Sequence, residues 1–430
     1  MTDQPTATAK PPPEPPPPPR LSADVLIKAV TRGSSPVITT LAIFLALVVG
    51  GLLIVFTDPV VLRAWDSFGY APGAAFSTTW TSLAQAYSAL FEGAIFSPGT
   101  IASAFHGGSI AAIFFPLSLT VFEATPLILT GLAVAVAFRA GLFNIGATGQ
   151  FIGGAIVAAW LGFGVSLPPV LHVIVCVLGA LVGGAVVGWV VGELKARTGA
   201  HEVIVTIMLN YVMIYLLYYV LSTPRALQQP HQNNQIAPPV AGNATLSHVG
   251  GPPPQASVGF LLAIAAAVAV AWLLSRSTTG FEFRTVGANP SAARSAGMSV
   301  ERTWVLVMLI AGALAGLAAA TVVLSGGSPP PPLAESTYGT YGFDGITVAL
   351  LGRSKPFGVV LAGLLFGALN AGGTQMAVAT PVPSDIVQVL EGLIVLFVAA
   401  PPLIRAVFRL RDTASTGMEA VESGAKGWNG

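Results

Sequence analysis

Charge is scarce in this chain. Only 9% of its 430 residues are Asp, Glu, Lys or Arg, against about 25% in soluble domains. With 53% hydrophobic residues, there is too little polar surface to cover a water-facing fold. A bilayer suits such a chain, because lipid tails require no polar cover. A net charge of +1 excludes the basic face of a nucleic-acid binder. Cysteine is nearly absent. Cys176 stands alone in an apolar run, which excludes an intrachain disulfide and a four-cysteine zinc site and reads as a small buried hydrophobe. His106, His172, His201, His231 and His248 are scattered without metal-ligand spacing, which speaks against a membrane enzyme. Lysine occurs only at positions 10, 28, 195, 355 and 426. None stands in a GxxxxGK[ST] phosphate loop, so if ATP drives this protein, the ATPase is a separate chain.

What is abundant is proline at the start and long apolar runs thereafter. PPPEPPPPPR has no apolar core, so residues 1–33 are expected to form a disordered, proline-rich cytoplasmic tail rather than a secretory signal. A transmembrane domain is expected over 34–408 and a cytoplasmic C-terminal tail over 409–430. Spans of about 20 apolar residues are expected at 36–56, 113–138, 144–163, 169–192, 203–221, 257–274, 303–324, 341–352, 356–373 and 384–404. The fold class is therefore an all-α polytopic membrane protein of about ten transmembrane helices. The eighth is short and contains glycine, so a re-entrant or broken helix is the alternative there.

Alternate threading of ten spans places most basic residues on one side. Arg20, Lys28, Arg32, Arg139, Lys195, Arg197, Arg276, Arg284, Arg294, Arg302, Arg353, Lys355, Arg405, Arg409 and Arg411 share it, and Arg63 and Arg225 fall opposite. By the positive-inside rule, both termini are cytoplasmic. Segments 57–108, 222–256 and GGSPPPPLAESTYGT then face outward. They read as docking surfaces for an extracytoplasmic partner or as plain connectors, and SLAQAYSALFEGAIF in the first suits an interfacial helix.

Two stretches break the pattern of plain apolar spans. RAGLFNIGATGQFIGG, 139–154, mixes Asn144, Thr148 and Gln150 with helix-weakening glycines. Irregular backbone at membrane depth is tolerated where it is buried in protein or lines a wet cavity, so this is the kinked start of a span beside a pathway, or else a small-residue packing site. YGTYGFDGITVALLGRSKPFG, 338–358, has the same character, with Asp344 near its start. Five spans apart, the two run in opposite directions, as in an inverted repeat whose broken segments meet at the binding site.

The loop RSTTGFEFRTVGANPSAARSAGMSVERT, 276–303, carries a third signal. Asn289 is a good N-cap and Pro290 suits the first helical position. Ala292, Ala293 and Arg294 continue the helix and Gly297 is placed to end it. A polar loop offers this helix no core of its own, so a groove on another protein would bury its alanine face while Arg294 reaches outward. A helix resting on the membrane surface is the alternative.

Glu123, Asp344 and Glu391 fall in or near spans, where a charge costs about 2.5–3.5 kcal/mol at the helix centre, with no mid-span base to pair with. Each is a candidate for a substrate pathway, with helix packing as the competitor. Asn210 and Asn370 can bond a polar solute or tie helices together, and Phe143, Phe343, Tyr211 and Tyr341 offer aromatic faces.

Taken together, TPLILTGLAVAVAFRAG, GLFNIGATGQ, HEVIVTIMLNY, RTVGANPSAARSAGM and GFDGITVALLGRSKPFGVVLAGLLFGAL resemble the permeases of bacterial nucleoside ABC importers, within the superfamily of branched-chain amino acid and simple-sugar permeases. The resemblance covers about 110–400. Its specific part is FNIGxxGQ. It implies a ten-helix importer permease in the bacterial cytoplasmic membrane, paired with a second permease, two cytoplasmic ATP-binding subunits and an extracytoplasmic substrate-binding lipoprotein. ATP would be used by the partner, with no cofactor on this chain. It also implies that Asn289–Gly297 is the coupling helix that docks on the ATPase. A sugar or amino acid permease of the same architecture is the closest alternative. An ion-coupled secondary transporter is a further one, though no ion-binding constellation supports it.

Overall fold

Apolar runs become helices and their caps set the ends. The computed structural model describes residues 35–224, 226–230, 234–247, 257–325, 331–383 and 385–409. The expected tail at 1–33, all but Arg409 of the one at 409–430, and parts of the 222–256 loop including Arg225 lie outside the described residues. By contacts the chain divides into two units, one of residues 45–399 and one of residues 1–44 with 400–430.

The helices are α1 (Ser35–Thr57), α2 (Pro59–Asp66), α3 (Pro72–Ala94), α4 (Pro98–Phe105), α5 (Phe115–Arg139), α6 (Ala147–Gly164), α7 (Pro169–Thr198), α8 (Glu202–Ser222), α9 (Gly259–Arg276), α10 (Thr278–Ala288), α11 (Pro290–Ser295), α12 (Val300–Val323), α13 (Tyr341–Leu351), α14 (Pro356–Ala379), α15 (Asp385–Ala399) and α16 (Pro401–Val407). Among the described residues each of the ten expected segments is mostly helical, the third from Ala147 onward and the tenth interrupted at Ala400. Among the described residues eight helices are long and apolar enough to cross a membrane: α1, α5, α6, α7, α8, α9, α12 and α14. A ninth is added if α15 and α16 count as one. The segment expected at 341–352 is the 11-residue α13, only about 17 Å long at the usual rise, which fits the broken-helix alternative.

In the 45–399 unit, α5 is the central helix, buried along most of its length, with α12 and α14 against it. Helix α12 in turn crosses α7 at backbone distance. Gly184, Gly188 and Gly192 recur every fourth residue on α7, and Met308, Gly312 and Gly316 do so on α12. A Cβ on Gly184 would lie 2.2 Å from the Gly312 carbonyl oxygen, and one on Gly316 2.1 Å from that of Ala180. Lipid gives no hydrophobic drive for helix association, so close packing of small residues is what holds such pairs together. Outward positions on α7 are Val170, Ile174, Leu178, Val182 and Val186, an apolar exterior as well as interior, as a bilayer requires.

Two helical features go beyond the expectations. The stretch suited to an interfacial helix is the C-terminal part of the 23-residue α3. That helix packs on α14, where a Cβ on Gly372 would stand 2.2 Å from the Leu90 carbonyl oxygen. The 276–303 loop holds α10 as well as the expected short helix, because Ser277 accepts from Gly280 N–H (2.9 Å) and caps it.

Candidate functional site

Both unusual stretches are broken helices. After α5, residues 140–146 leave the helix. Leu142 N–H donates to Ala137 C=O (3.0 Å) and Gly141 N–H to Phe138 C=O (3.1 Å), the glycine-terminated stop in which Gly141 takes φ +71°. The backbone then runs into α6, and three amides brace it. Asn144 Oδ1 accepts from Gly146 N–H (3.1 Å), and Asn144 Nδ2 donates to Gln150 Oε1 (2.9 Å). From α8, Asn210 Oδ1 accepts from Gly149 N–H (2.8 Å) and its Nδ2 donates to Ile145 C=O (2.9 Å). Asn144 and Gln150 are wholly buried and Asn210 nearly so. These bonds satisfy backbone groups that a break in a membrane helix would otherwise leave unpaired.

The two broken stretches meet. Gly342 of α13 sits on Thr148 of α6, so closely that a Cβ there would lie 2.4 Å from the Thr148 nitrogen. One residue earlier, Tyr341 stacks on Phe151, ring centroids 5.7 Å apart. Tyr341 also turns its hydroxyl to the Glu123 carboxyl on α5.

Glu123 and Tyr341 face a cavity of about 670 Å³, within the size range of small-molecule sites. Its walls come from α5 (Phe122, Glu123), the end of α12 and the residues just after it (Val322, Ser325), the segment 331–341, α14 (Asn370, Gly373, Thr374) and α15 (Val387, Gln388). Among the described residues the lining has hydroxyls, amides, aromatic rings and one acid, and no Lys, Arg or His.

Of the candidates read from the sequence, Glu123 lines this cavity, as do Asn370 and Tyr341. Asp344 stands one turn beyond Tyr341 and accepts from Thr340 Oγ1; Thr340 itself lines the cavity. Glu391 lies one turn beyond Val387 and Gln388, 5% exposed, with Oε1 lacking a hydrogen-bond partner. Asn144, Gln150 and Asn210 lie behind the cavity in the bracing described above. Phe143 and Phe343 are more than half exposed, Phe143 against Phe138 with ring centroids 4.9 Å apart, and neither lines the cavity. Sequence reasoning missed Thr374 and Gln388. The i, i+4 pairing of Asn370 with Thr374 on an apolar helix was the available signal.

At the other end of the molecule, Asn289 Oδ1 accepts from Ser291 N–H (3.0 Å) and Ala292 N–H (3.1 Å), with Pro290 in the first turn. Gly297 ends the helix at φ +84°, Met298 N–H reaching Ala293 C=O (3.0 Å). Ala293 is wholly buried against Val286 and Val300, with Met298 and Trp304 beside them. Arg294 is salt-bridged to Glu301. This corrects the expectation that the helix lacks a core of its own and extends Arg294 freely. The alanine face folds onto α10 and α12 instead, leaving Ser291 and Ala292 exposed.

The family described as the permease component of the branched-chain amino acid transport system matches residues 117–399. The chain belongs to that family. This permease is 37% identical over 310 residues to the guanosine ABC transporter permease protein NupP of Bacillus subtilis, covering 71% of this chain and 86% of that one. It is 35% identical over 298 residues to the glucose ABC transporter permease protein TsgB13 of Haloferax volcanii, covering 66% and 76%. It is equally identical over 298 residues to the nucleoside ABC transporter permease protein NupB of Lactococcus lactis, covering 66% and 78%. The protein is thus a multi-pass membrane permease of the ABC importer class. Helices α1–α4 precede the matched region.

Proposed function

We propose that this permease translocates a nucleoside, with the cavity beside Glu123 and Tyr341 on its path. The observation that carries the reading is the lining itself, which has many neutral hydrogen-bonding groups, two aromatic rings, one carboxyl and no cation among the described residues. A free amino acid brings a carboxylate, which such a lining would leave unpaired beside Glu123, at a high desolvation cost. A nucleoside brings a flat base for the rings of Phe122 and Tyr341, and N–H and O–H donors for Glu123 and the side-chain carbonyls of Asn370 and Gln388. The names of the guanosine and nucleoside permeases above agree. A simple sugar is the second reading, favoured by the equal likeness to a glucose permease. Uptake by cells expressing the complete importer decides between them. We expect saturable guanosine uptake that unlabelled adenosine or uridine competes and that glucose and leucine do not. Competition by glucose at equal concentration would replace the first reading by the second.

Under the same proposal the protein lies in a bacterial cytoplasmic membrane with both termini inside. Two ATP-binding subunits, a second permease and a substrate-binding lipoprotein complete the importer. The helix Asn289–Gly297 docks on the ATPase. Its packing onto α10 and α12 makes it a stiff part able to pass on a push, with Ala292 outward. A cysteine at Ser291 is expected to react with an impermeant maleimide only after permeabilisation, and one at Gly242 to react in intact cells. The opposite pattern would invert the topology.

A further inference from the structure

The helices that border the two broken stretches end in similar turns, and one side chain joins those turns. α5 stops after Arg139 through the Leu142-to-Ala137 and Gly141-to-Phe138 bonds given above. α13 stops after Leu351 with the same spacing of bonds, Ser354 N–H to Ala349 C=O (2.8 Å) and Arg353 N–H to Leu350 C=O (2.9 Å). Arg353 and Ser354 both take positive φ, 53° and 49°. This aims the Ser354 carbonyl away from its own helix, and Arg139 Nε donates to it at 2.9 Å across 215 residues of sequence.

A third chain segment touches the same turn. Gly287, near the end of α10, packs its backbone on Arg139 and Ala140, and a Cβ there would stand 2.6 Å from the Arg139 carbonyl oxygen. α10 leads directly into the capped helix α11, and Val286 beside Gly287 is in the cluster that buries Ala293. A displacement of α11 therefore meets Arg139 through backbone contact, which has no soft side chain to absorb it. From Arg139 one route follows residues 140–146 to Thr148 and Phe151. The other crosses to Ser354 and α13, which carries Gly342 and Tyr341 at its far end. The second arrives at the wall of the cavity, and the first meets it through the contacts of Thr148 with Gly342 and of Phe151 with Tyr341.

We propose that Arg139 is a positioning residue for transport, clamping the two broken stretches together on the cytoplasmic loop so that they move as one when that loop moves. It touches no solute. The inference rests on the reading of Asn289–Gly297 as the ATPase dock.

The test uses the complete importer in proteoliposomes and measures assembly, ATP hydrolysis and guanosine uptake together. Arg139→Gln shortens the side chain and removes the Nε donor. Gly287→Ala wedges the same junction from the other side. Each variant is expected to assemble with the ATPase and hydrolyse ATP at the basal rate. Each should lose stimulation of hydrolysis by the solute-loaded binding protein, with uptake about tenfold lower, within the range that coupling changes span. Arg139→Lys, which retains a donor of similar reach, is expected to recover most of the uptake, a rescue that a generally damaged fold would not show. Wild-type uptake and stimulation in both Arg139→Gln and Gly287→Ala would overturn the proposal. So would loss of ATPase association in step with uptake, because the junction would then belong to the dock itself. Arg294→Glu is the control for the underlying reading. If it assembles and transports normally, the dock assignment has failed, independently of the result at Arg139.

Discussion

Tyr341 lies against Phe151 with the planes 29° from parallel and its hydroxyl turned to Glu123, so one ring is both packing for the broken helices and part of the cavity wall. The two roles separate by substitution. Tyr341→Phe keeps the stacked ring and removes the hydroxyl. Because Tyr341 lines the cavity, the apparent Km for uptake is expected to rise severalfold, while the retained ring keeps thermal stability in detergent close to wild type. Phe151→Ala removes a wholly buried side chain and is expected to cost about 3–5 kcal/mol of stability. Equal stability losses in both variants would show that Tyr341 is packing only.

The asparagines divide in the same way. Asn210→Leu abandons the Gly149 N–H and the Ile145 C=O in a dry interior, at about 1–3 kcal/mol for each unsatisfied group. We expect lowered thermal stability and lowered yield of folded protein. Asn370→Ala opens onto the cavity, so stability is expected to hold while uptake falls. Scintillation uptake alongside fluorescence-detected size exclusion separates the two outcomes, and a stable, transport-dead Asn210→Leu would move that residue from bracing to binding.

The α7–α12 crossing leaves no room for side chains. Gly312→Leu forces a side chain toward the Gly184 carbonyl oxygen, which already lies 2.3 Å from where a Cβ would be built. Overpacking costs about 1–3 kcal/mol or more, and helices packed backbone to backbone cannot yield locally. Loss of monodisperse protein is expected. Gly392→Ala on α15 meets nothing within 4 Å and is expected to behave as wild type in the same thermal scan.

On the 276–303 loop, Ala292→Glu and Ala293→Glu should part company. Ala292 is exposed, so a glutamate there leaves the loop folded and, under the proposed docking, disturbs only the contact with the ATPase. Ala293 is wholly buried beside Val286 and Val300, so a glutamate there buries an unpaired charge and unseats α11 from its own chain. Proteolysis of the isolated permease is expected to cut the loop faster in Ala293→Glu alone, while co-purification with the ATPase falls in both. Normal co-purification of Ala292→Glu would place the dock elsewhere.

Much of this was written in short stretches of chain. Apolar runs marked the ten helical segments, because lipid demands internal backbone bonding and little else. Asn289, Pro290 and Gly297 marked both ends of α11, because caps act within four residues. Glycines with Asn144 and Asp344 marked where helices break, since helix weakness is local. What those residues do once the helix has broken was not legible. Asn144, Gln150 and Asn210 read equally as solute ligands or as ties between helices, and only the meeting of α6 with α8 makes them braces. Likewise Ala293 read as an outward face until α10, a helix not expected, folded beneath it. The cavity draws on residues from Phe122 to Gln388 in five chain segments, and no window of sequence holds such a set. The contact of Gly342 with Thr148 and the bond from Arg139 to Ser354 join positions about two hundred residues apart. Local chemistry chooses helix or break at each position, and only close packing of distant helices decides which polar groups remain free to meet a solute.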